Sequence, residues 1–446
     1  MRKHVIRLTI IVIVLLALLA FYLTRPDRAR FSEQAVTGRT PQLSQARPQR
    51  IPTVRVAEPI GWADGQTPTA AAGLQVQAFA KGLDHPRWLY ALANGDVLVA
   101  ESNSPPREGG GITGWFMKRF MDRAGAGTPS ANRITLLRDV NGDGVAESRS
   151  ALLTGLNSPF GMAVVGDWLY VANTDALVRY PFRVGQTKIT AAAEKIVALP
   201  GGGNHWARNV VAAPDGKSLY VSVGSASNIA ENGLDVEKNR AAIWQVNPET
   251  KSFRIYATGL RNANGMAFEP RSKELWAVVN ERDMIGSDMP PDYLTKVEFG
   301  GNYGWPWHYW GGYIDDRVQP QRPDLREYVV RPDYALGAHV APLGLAFTDA
   351  MRLGDRFGNG AVVGLHGSWN RVPPSGYKVV YVPFGTNGFP LPNSRPVDLL
   401  TGFLTADGKQ VHGRPVGVIA DRTGAMLVAD DVGNVIWRVS QPLAAR

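Results

Sequence analysis

The stretch Gly201–Gly224, GGGNHWARNVVAAPDGKSLYVSVG, decides how the chain is read. A Gly-rich polar turn leads into a predicted strand at Asn209–Ala213. A Pro-Asp-Gly turn reverses it, and a second predicted strand follows at Leu219–Val223. The opening turn recurs six times, as GLDHP (Gly82–Pro86), GLNSP (Gly155–Pro159), GGNHW (Gly202–Trp206), GLRNA (Gly259–Ala263), AHVAP (Ala338–Pro342) and VHGRP (Val411–Pro415). Four of the turns precede closely similar strands: FGMAV, NGMAF, LGLAF and VGVIA. Five lead on to an outer hydrophobic strand, while the fifth repeat ends less regularly at GAVVGLHG. Repeats spaced 47 to 79 residues apart, all strands and turns, predict an all-β fold, a six-bladed β-propeller with loop insertions. An early strand at Leu74–Phe79 is expected to pair with the last blade and close the ring, leaving no open sheet edge.

In a propeller the innermost strand of each blade lines the channel, so the turn entering it lies at one mouth. The fourth turn positions are His85, Ser158, His205, Asn262, Ala341 and Arg414; the third are Asp84, Asn157, Asn204, Arg261, Val340 and Gly413. Two His, two Arg, several Asn and an Asp therefore collect at one ring, which is where a ligand is expected.

Composition narrows the function. The 446 residues carry a formal charge of +9, but residues 1–50 hold nine Lys/Arg against Asp27 and Glu33 and account for +7 of it. The remainder is nearly neutral, so a nucleic-acid partner loses its main support. With no cysteine, thiolate metal sites, disulfides and Cys nucleophiles are excluded.

Arg2, Lys3 and Arg7 precede Leu8–Leu23, sixteen residues in which only Thr9 and Tyr22 are polar. A helix of this length roughly spans a bilayer core of about 30 Å. Leu18 and Ala20 fit a cleavage site poorly, so residues 1–24 read as an uncleaved anchor, with a cleaved signal peptide as the alternative. Residues 25–73, rich in Pro, Gln and Arg, read as a linker, and residues 74–446 as the propeller. The expected location is a bacterial inner membrane, single-pass, with the propeller facing the periplasm.

Individual residues leave two readings open. His205 suits a general base, since imidazole titrates near neutrality, or a turn histidine bonded to neighbouring backbone. Arg261-Asn262 suits a carboxylated planar ligand, or an inter-blade ion pair beside an Asx turn. The acidic run Asn280–Val297, with Glu281, Asp283, Asp288 and Asp292, suits calcium or a solvated loop. DVNGDGVAE (Asp139–Glu147) opens like a calcium loop, but its twelfth position is Ser150, so it reads as a turn between strands. His366 and Trp369–Arg371 fill a loop after the fifth repeat's strand.

Taken together, NHWARNVVAAPDGKSLYVSVG, GLRNANGMAF, NERDMIGSDMPPDYLTKV, GGNYGWP and HGSWNR, in that order, make the chain resemble the glucose/sorbosone dehydrogenases that use pyrroloquinoline quinone (PQQ). The likeness covers roughly Leu74–Ser440 and is nearest to the sorbosone dehydrogenase branch. It implies PQQ and Ca2+ at the channel mouth, and His205 as the base that takes a proton from an aldose or sugar-derived aldehyde as hydride passes to PQQ. It further implies Arg261, Asn262 and Arg414 beside the cofactor, with Asn204, His366 and Arg371 as further contacts. Glu281, Asp283 and Asp288 are the implied metal ligands, through side chains or main-chain carbonyls. With an anchor, a quinone or a cytochrome is the expected electron acceptor. Two rival expectations are a calcium-dependent propeller hydrolase or lactonase, and a non-catalytic propeller binding sugar or protein at the membrane. Insertions at Ser102–Asn132, Trp307–Asp333 and Gly385–Gln410 are expected to build the channel rim.

Overall fold

The computed structural model describes residues 2–24, 26–49, 52–106, 119, 122–125 and 127–442. Six antiparallel sheets form the six blades. Their innermost strands are Pro86–Ala91, Met162–Val165, Val210–Ala212, Ala263–Phe268, Pro342–Phe347 and Pro415–Ala420. Each begins at or just after one of the six repeated turns, so the repeat alignment held. About half of the Ser102–Asn132 insertion, 107–118 included, lies outside the described residues.

The hydrophobic strands expected on the outside lie second from the channel. Val97–Glu101, Leu219–Val223, Leu275–Val279, Gly360–Leu365 and Met426–Asp430 are buried at every position. Both faces of such a strand pack against adjacent blades, which is why its sequence is continuously apolar rather than alternating. The fifth is as regular as the others, since Gly360–Leu365 pairs along its whole length with Lys378–Pro383. Solvent reaches the fourth strands instead, as the exposed positions of Ser148–Leu153 and Ser252–Thr258 show.

The Gly shared by four of the inner strands has a packing cause. A Cβ on Gly344 would sit 2.1 Å from the carbonyl oxygen of Val416 in the next blade, and one on Gly265 would sit 2.7 Å from that of Leu343. Neighbouring inner strands approach so closely around the channel that no side chain fits between them.

Ring closure follows the expected course. Gln75–Lys81 pairs with Val435–Ser440 from Val435↔Lys81 to Ser440↔Gln75, completing the sixth blade with a strand from the start of the chain. The preceding segment behaves differently from a linker. Thr69–Ala70 adds a fifth strand to blade 5, and Glu58–Pro59 pairs in parallel with Gln410–Val411. Ala57 lies fully buried in the core between blades 5 and 6. Trp62 donates its indole N–H to Asp430 (2.7 Å) and packs edge-on against Phe403 and Trp437. Few charges and several apolar groups at these positions let a segment without periodicity bind as a strap. Helix Arg2–Thr24 precedes it, apolar and long enough to cross a membrane, with its side chains exposed through Tyr22.

Candidate active site

The mouth turns and the loops after the second strands enclose a cavity of about 170 Å³. His205, Arg261, Asn262, Glu281, Asp283 and Asp292 line it, joined by Asn280, His339 and residues 368–370. Blades 3, 4 and 5 all contribute.

His205 is oriented by its own turn. Nδ1 lies 2.8 Å from the Ser225 carbonyl oxygen and 3.0 Å from the Ser225 hydroxyl, which itself donates to Ser227 (2.7 Å). A carbonyl only accepts, so Nδ1 carries the proton and Nε2 keeps its lone pair. Buried Arg208 fastens the turn by donating to the carbonyls of Pro200, His205 and Ala207. Burial, reinforced by the nearby Arg261 cation, lowers the His205 pKa to about 3. The imidazole is neutral at ordinary pH and can accept a proton.

Arg261 is held by its own protein. Its guanidinium donates to the carbonyls of Asn228 (3.1 Å) and Glu281 (2.7 Å), to the Asn228 side chain (2.9 Å) and to Asp283 (3.1 Å). The fork offered for a ligand carboxylate is thus filled from the loops of blades 3 and 4, and Arg261 acts as a fixed cation in the wall. Asp283 also accepts from Asn370 (2.7 Å) and lies 3.6 Å from His339 Nδ1. Burial alone would raise the Asp283 pKa; Arg261 and His339 outweigh it and hold the carboxylate ionised. His339 donates Nε2–H to Gly286 (2.9 Å), and Asp283 raises its pKa against the effect of burial.

Glu281 and Asp292 are different. Burial raises their pKa values to about 7 and about 6. Asp292 accepts from the backbone N–H of Glu281 and of Ala341, both 2.8 Å, tying the acidic loop to the blade 5 turn. Glu281 is 3% exposed and its Oε1 has no hydrogen-bond partner, a buried oxygen positioned for a cation or a donor.

A second polar cluster joins the mouth from blades 1, 5 and 6. Asp431 accepts from Arg87 and from His366 (2.9 Å), and lies 3.4 Å from His85. Arg414 is 4% exposed, stands over the Tyr377 ring at 4.9 Å, and leaves Nε and Nη2 without partners. An unpaired buried guanidinium is an anion site in waiting.

Three of the expected residues lie elsewhere. Arg371 donates to the carbonyls of Ser287 (2.9 Å) and Pro373 (2.8 Å), 3.6 Å from Asp288, under the strap. Asp288 accepts from the Arg30 backbone N–H (2.7 Å). Asn204 lies in a separate depression with Ser104, Pro105 and Trp206. Reading motifs as blocks missed this: adjacent residues of HGSWNR face opposite sides of the loop, so Asn370 enters the cavity and Arg371 does not. His339, inside the AHVAP turn, was passed over because only its third and fourth positions were compared.

The three cavity carboxylates do not bring oxygens within 4.8 Å of one another. Among the described residues only Asp139, Asp143 and Glu147 do so, in the exposed turn joining Arg133–Arg138 to Ser148–Leu153. A cation in the cavity would therefore draw on Glu281 together with loop carbonyls.

Comparison with protein families matches residues 68–291 and 322–442 to the family described as TrAA12-like. The chain belongs to this family. The unmatched interval overlaps the insertion at Trp307–Asp333. Over 131 residues the chain is 38% identical to a pyrroloquinoline quinone-dependent pyranose dehydrogenase of Coprinopsis cinerea, covering 26% of this chain and 17% of that protein. Over 160 residues it is 27% identical to aldose sugar dehydrogenase YliI of Escherichia coli, covering 32% and 41%. An uncharacterized protein of Borreliella burgdorferi is 32% identical over 236 residues, covering 53% and 60%. The chain thus spans 60% or less of these curated relatives. Among solved structures, the holo PQQ domain of the C. cinerea pyranose dehydrogenase superposes with a TM-score of 0.68 at 21% identity, covering 86% of this chain and all of that one. A calcium structure of a Trichoderma reesei family AA12 enzyme gives 0.68 at 20% identity, covering 87% and 99%. At these identities the likeness is one of fold.

Proposed function

We propose that the protein is a membrane-anchored, PQQ-dependent oxidoreductase that oxidises a sugar or a sugar-derived aldehyde, with His205 as the catalytic base. The observation that carries this reading is a neutral His205, its Nε2 free to accept a proton, in one cavity with a fixed cation and buried acidic groups. The match to the TrAA12-like family and the relatives named for PQQ-dependent and aldose dehydrogenation point the same way.

The residues present fit both groups. Arg414, with two unpaired guanidinium nitrogens, suits a carboxylate of the cofactor, and the unpaired Glu281 oxygen with nearby loop carbonyls suits a hard cation. When bound, PQQ supplies an electrophilic quinone carbonyl as hydride acceptor, which calcium polarises. His205 Nε2 takes the proton from the anomeric hydroxyl of an aldose, or from a hydroxyl of the hydrate that an aldehyde forms with water, while the Ser225 carbonyl at Nδ1–H holds the ring and steadies the imidazolium that forms. Arg261 supplies fixed positive potential in a partly dry site, and Asp283 with Arg208 keeps it and the turn in place. All three cavity carboxylates come from blade 4, Glu281 and Asp283 from its loop and Asp292 from the strand that follows, whereas the hydrolase reading needs metal ligands from several blades. Sorbosone-like aldehydes belong on the substrate panel beside aldoses. The anchor suggests a quinone or cytochrome acceptor and a propeller exposed to the periplasm.

His205→Ala tests the reading. Turnover in a dye-reduction assay with PQQ and calcium should fall about 10²- to 10⁴-fold, while PQQ still binds by absorbance titration. Near-normal turnover in that variant would show that another group takes the proton.

A further inference from the structure

The chain beyond the helix docks first on the mouth face, and only further on, at Gln34 and Gly38, does it reach Arg395 and Ala335 on the flank of blades 5 and 4. After the helix ends at Thr24, the side chain of Asp27 accepts from the Ser287 backbone N–H (2.7 Å) and its carbonyl from the Ser287 hydroxyl (2.8 Å). Ala29 N–H donates to the Val372 carbonyl (2.8 Å) and Arg30 N–H to Asp288. Further along, the backbone N–H groups of Arg47, Gln49 and Arg55 donate to the carbonyls of Ile285, Met284 and Trp369. Every one of these mouth-face partners lies in residues 283–290 or 366–377, the two loops whose other members, Asp283 and Asn370, line the cavity.

Two residues, and so three peptide steps, separate the last helical residue from the first docked one. Fully extended they reach about 10 Å. The blade strands are up to seven residues long, so the hairpin face opposite the mouth lies about 20 Å further down. With the helix held in a bilayer, a tether this short keeps the mouth face near the lipid and cannot bring the hairpin face there instead. The exposed strap residues Arg28 and Arg30 add a cationic edge suited to anionic headgroups.

We propose that the mouth-bearing face of the propeller lies against the lipid surface, with the docked residues 27–30, 47–49 and 55 as the brace that fixes this orientation. The proposal rests on the anchor reading above. Substrate then enters sideways between rim and headgroups, and the cavity opens toward the membrane rather than toward bulk solvent.

The absence of cysteine makes the test clean, because each introduced thiol is the sole labelling site. The full chain is reconstituted in lipid nanodiscs containing phosphatidylglycerol and a headgroup nitroxide quencher. Fluorophores are placed on the mouth face (Gln45→Cys, Asn232→Cys) and on the hairpin face (Lys217→Cys, Ala350→Cys). Mouth-face labels should be quenched at least threefold more strongly. Twenty Gly/Ser residues inserted after Thr24 should erase that difference while the chain stays on the discs. Equal quenching of both faces, or a preference that survives the insertion, overturns the proposal. Release of the unmodified chain by an alkaline wash instead overturns the anchor, a result distinct from the quenching comparison.

Discussion

His85 and His205 are imidazoles kept neutral by burial, and this has a measurable consequence. His85 is 6% exposed; burial lowers its pKa to about 4 even though Asp431 pulls the other way. In the unfolded chain it takes a proton near its ordinary value of about 6.5. Between pH 6.5 and 4 the unfolded state binds a proton that the folded state does not, so stability falls as pH falls through that window. The contribution is at most about 1.4 kcal/mol per pH unit. Thermal melts from pH 7 to 4.5 should show a shallower acid loss for His85→Gln than for the parent protein. An identical slope would mean that His85 is charged in the fold.

Within and between elements, the channel wall sets the tightest tolerance. Gly344→Ala places a methyl group 2.1 Å from the Val416 carbonyl of the next blade. The inner strands must move apart, at a cost of about 1–3 kcal/mol. Denaturant unfolding should show a lower midpoint with an unchanged slope. The repeat made this contact legible: FGMAV, NGMAF, LGLAF and VGVIA share a Gly that alternation alone does not explain. Blade number, inner strands and the ring of turn residues could be read for the same reason, since each recurs. The site was only partly legible. Its turn residues recur and were found, but Asn370 and Arg371, neighbours in sequence, diverge through a loop that no period governs. Asp292 and His339 join the cavity only because Asp292 bridges two blades, a pairing with no sequence spacing. The strap was read as a linker because its contacts are single side chains and backbone bonds to distant loops.

At the scale of the whole molecule, residues 26–49 and 52–81 belong to the fold. Deleting residues 2–25 should leave a folded, soluble propeller with a cooperative thermal transition. Deleting residues 2–81 removes the strand that completes blade 6, leaving Val435–Ser440 with an open edge and the ring unsealed. That protein should aggregate or melt without cooperativity. A cooperative melt matching the shorter deletion would mean that the remaining strands close the ring unaided.

The closing strand also fixes when folding can finish. Gln75–Lys81 leaves the ribosome well before its partner Val435–Ser440, which is made more than 350 residues later. Blades 1 to 5 can gather as they emerge, yet the seal waits until Val435–Ser440 has been made. Truncated or stalled chains thus carry an unpaired strand next to a hydrophobic helix. An open edge of this kind is a ready template for pairing with another chain, and the arrival of Val435–Ser440 removes it.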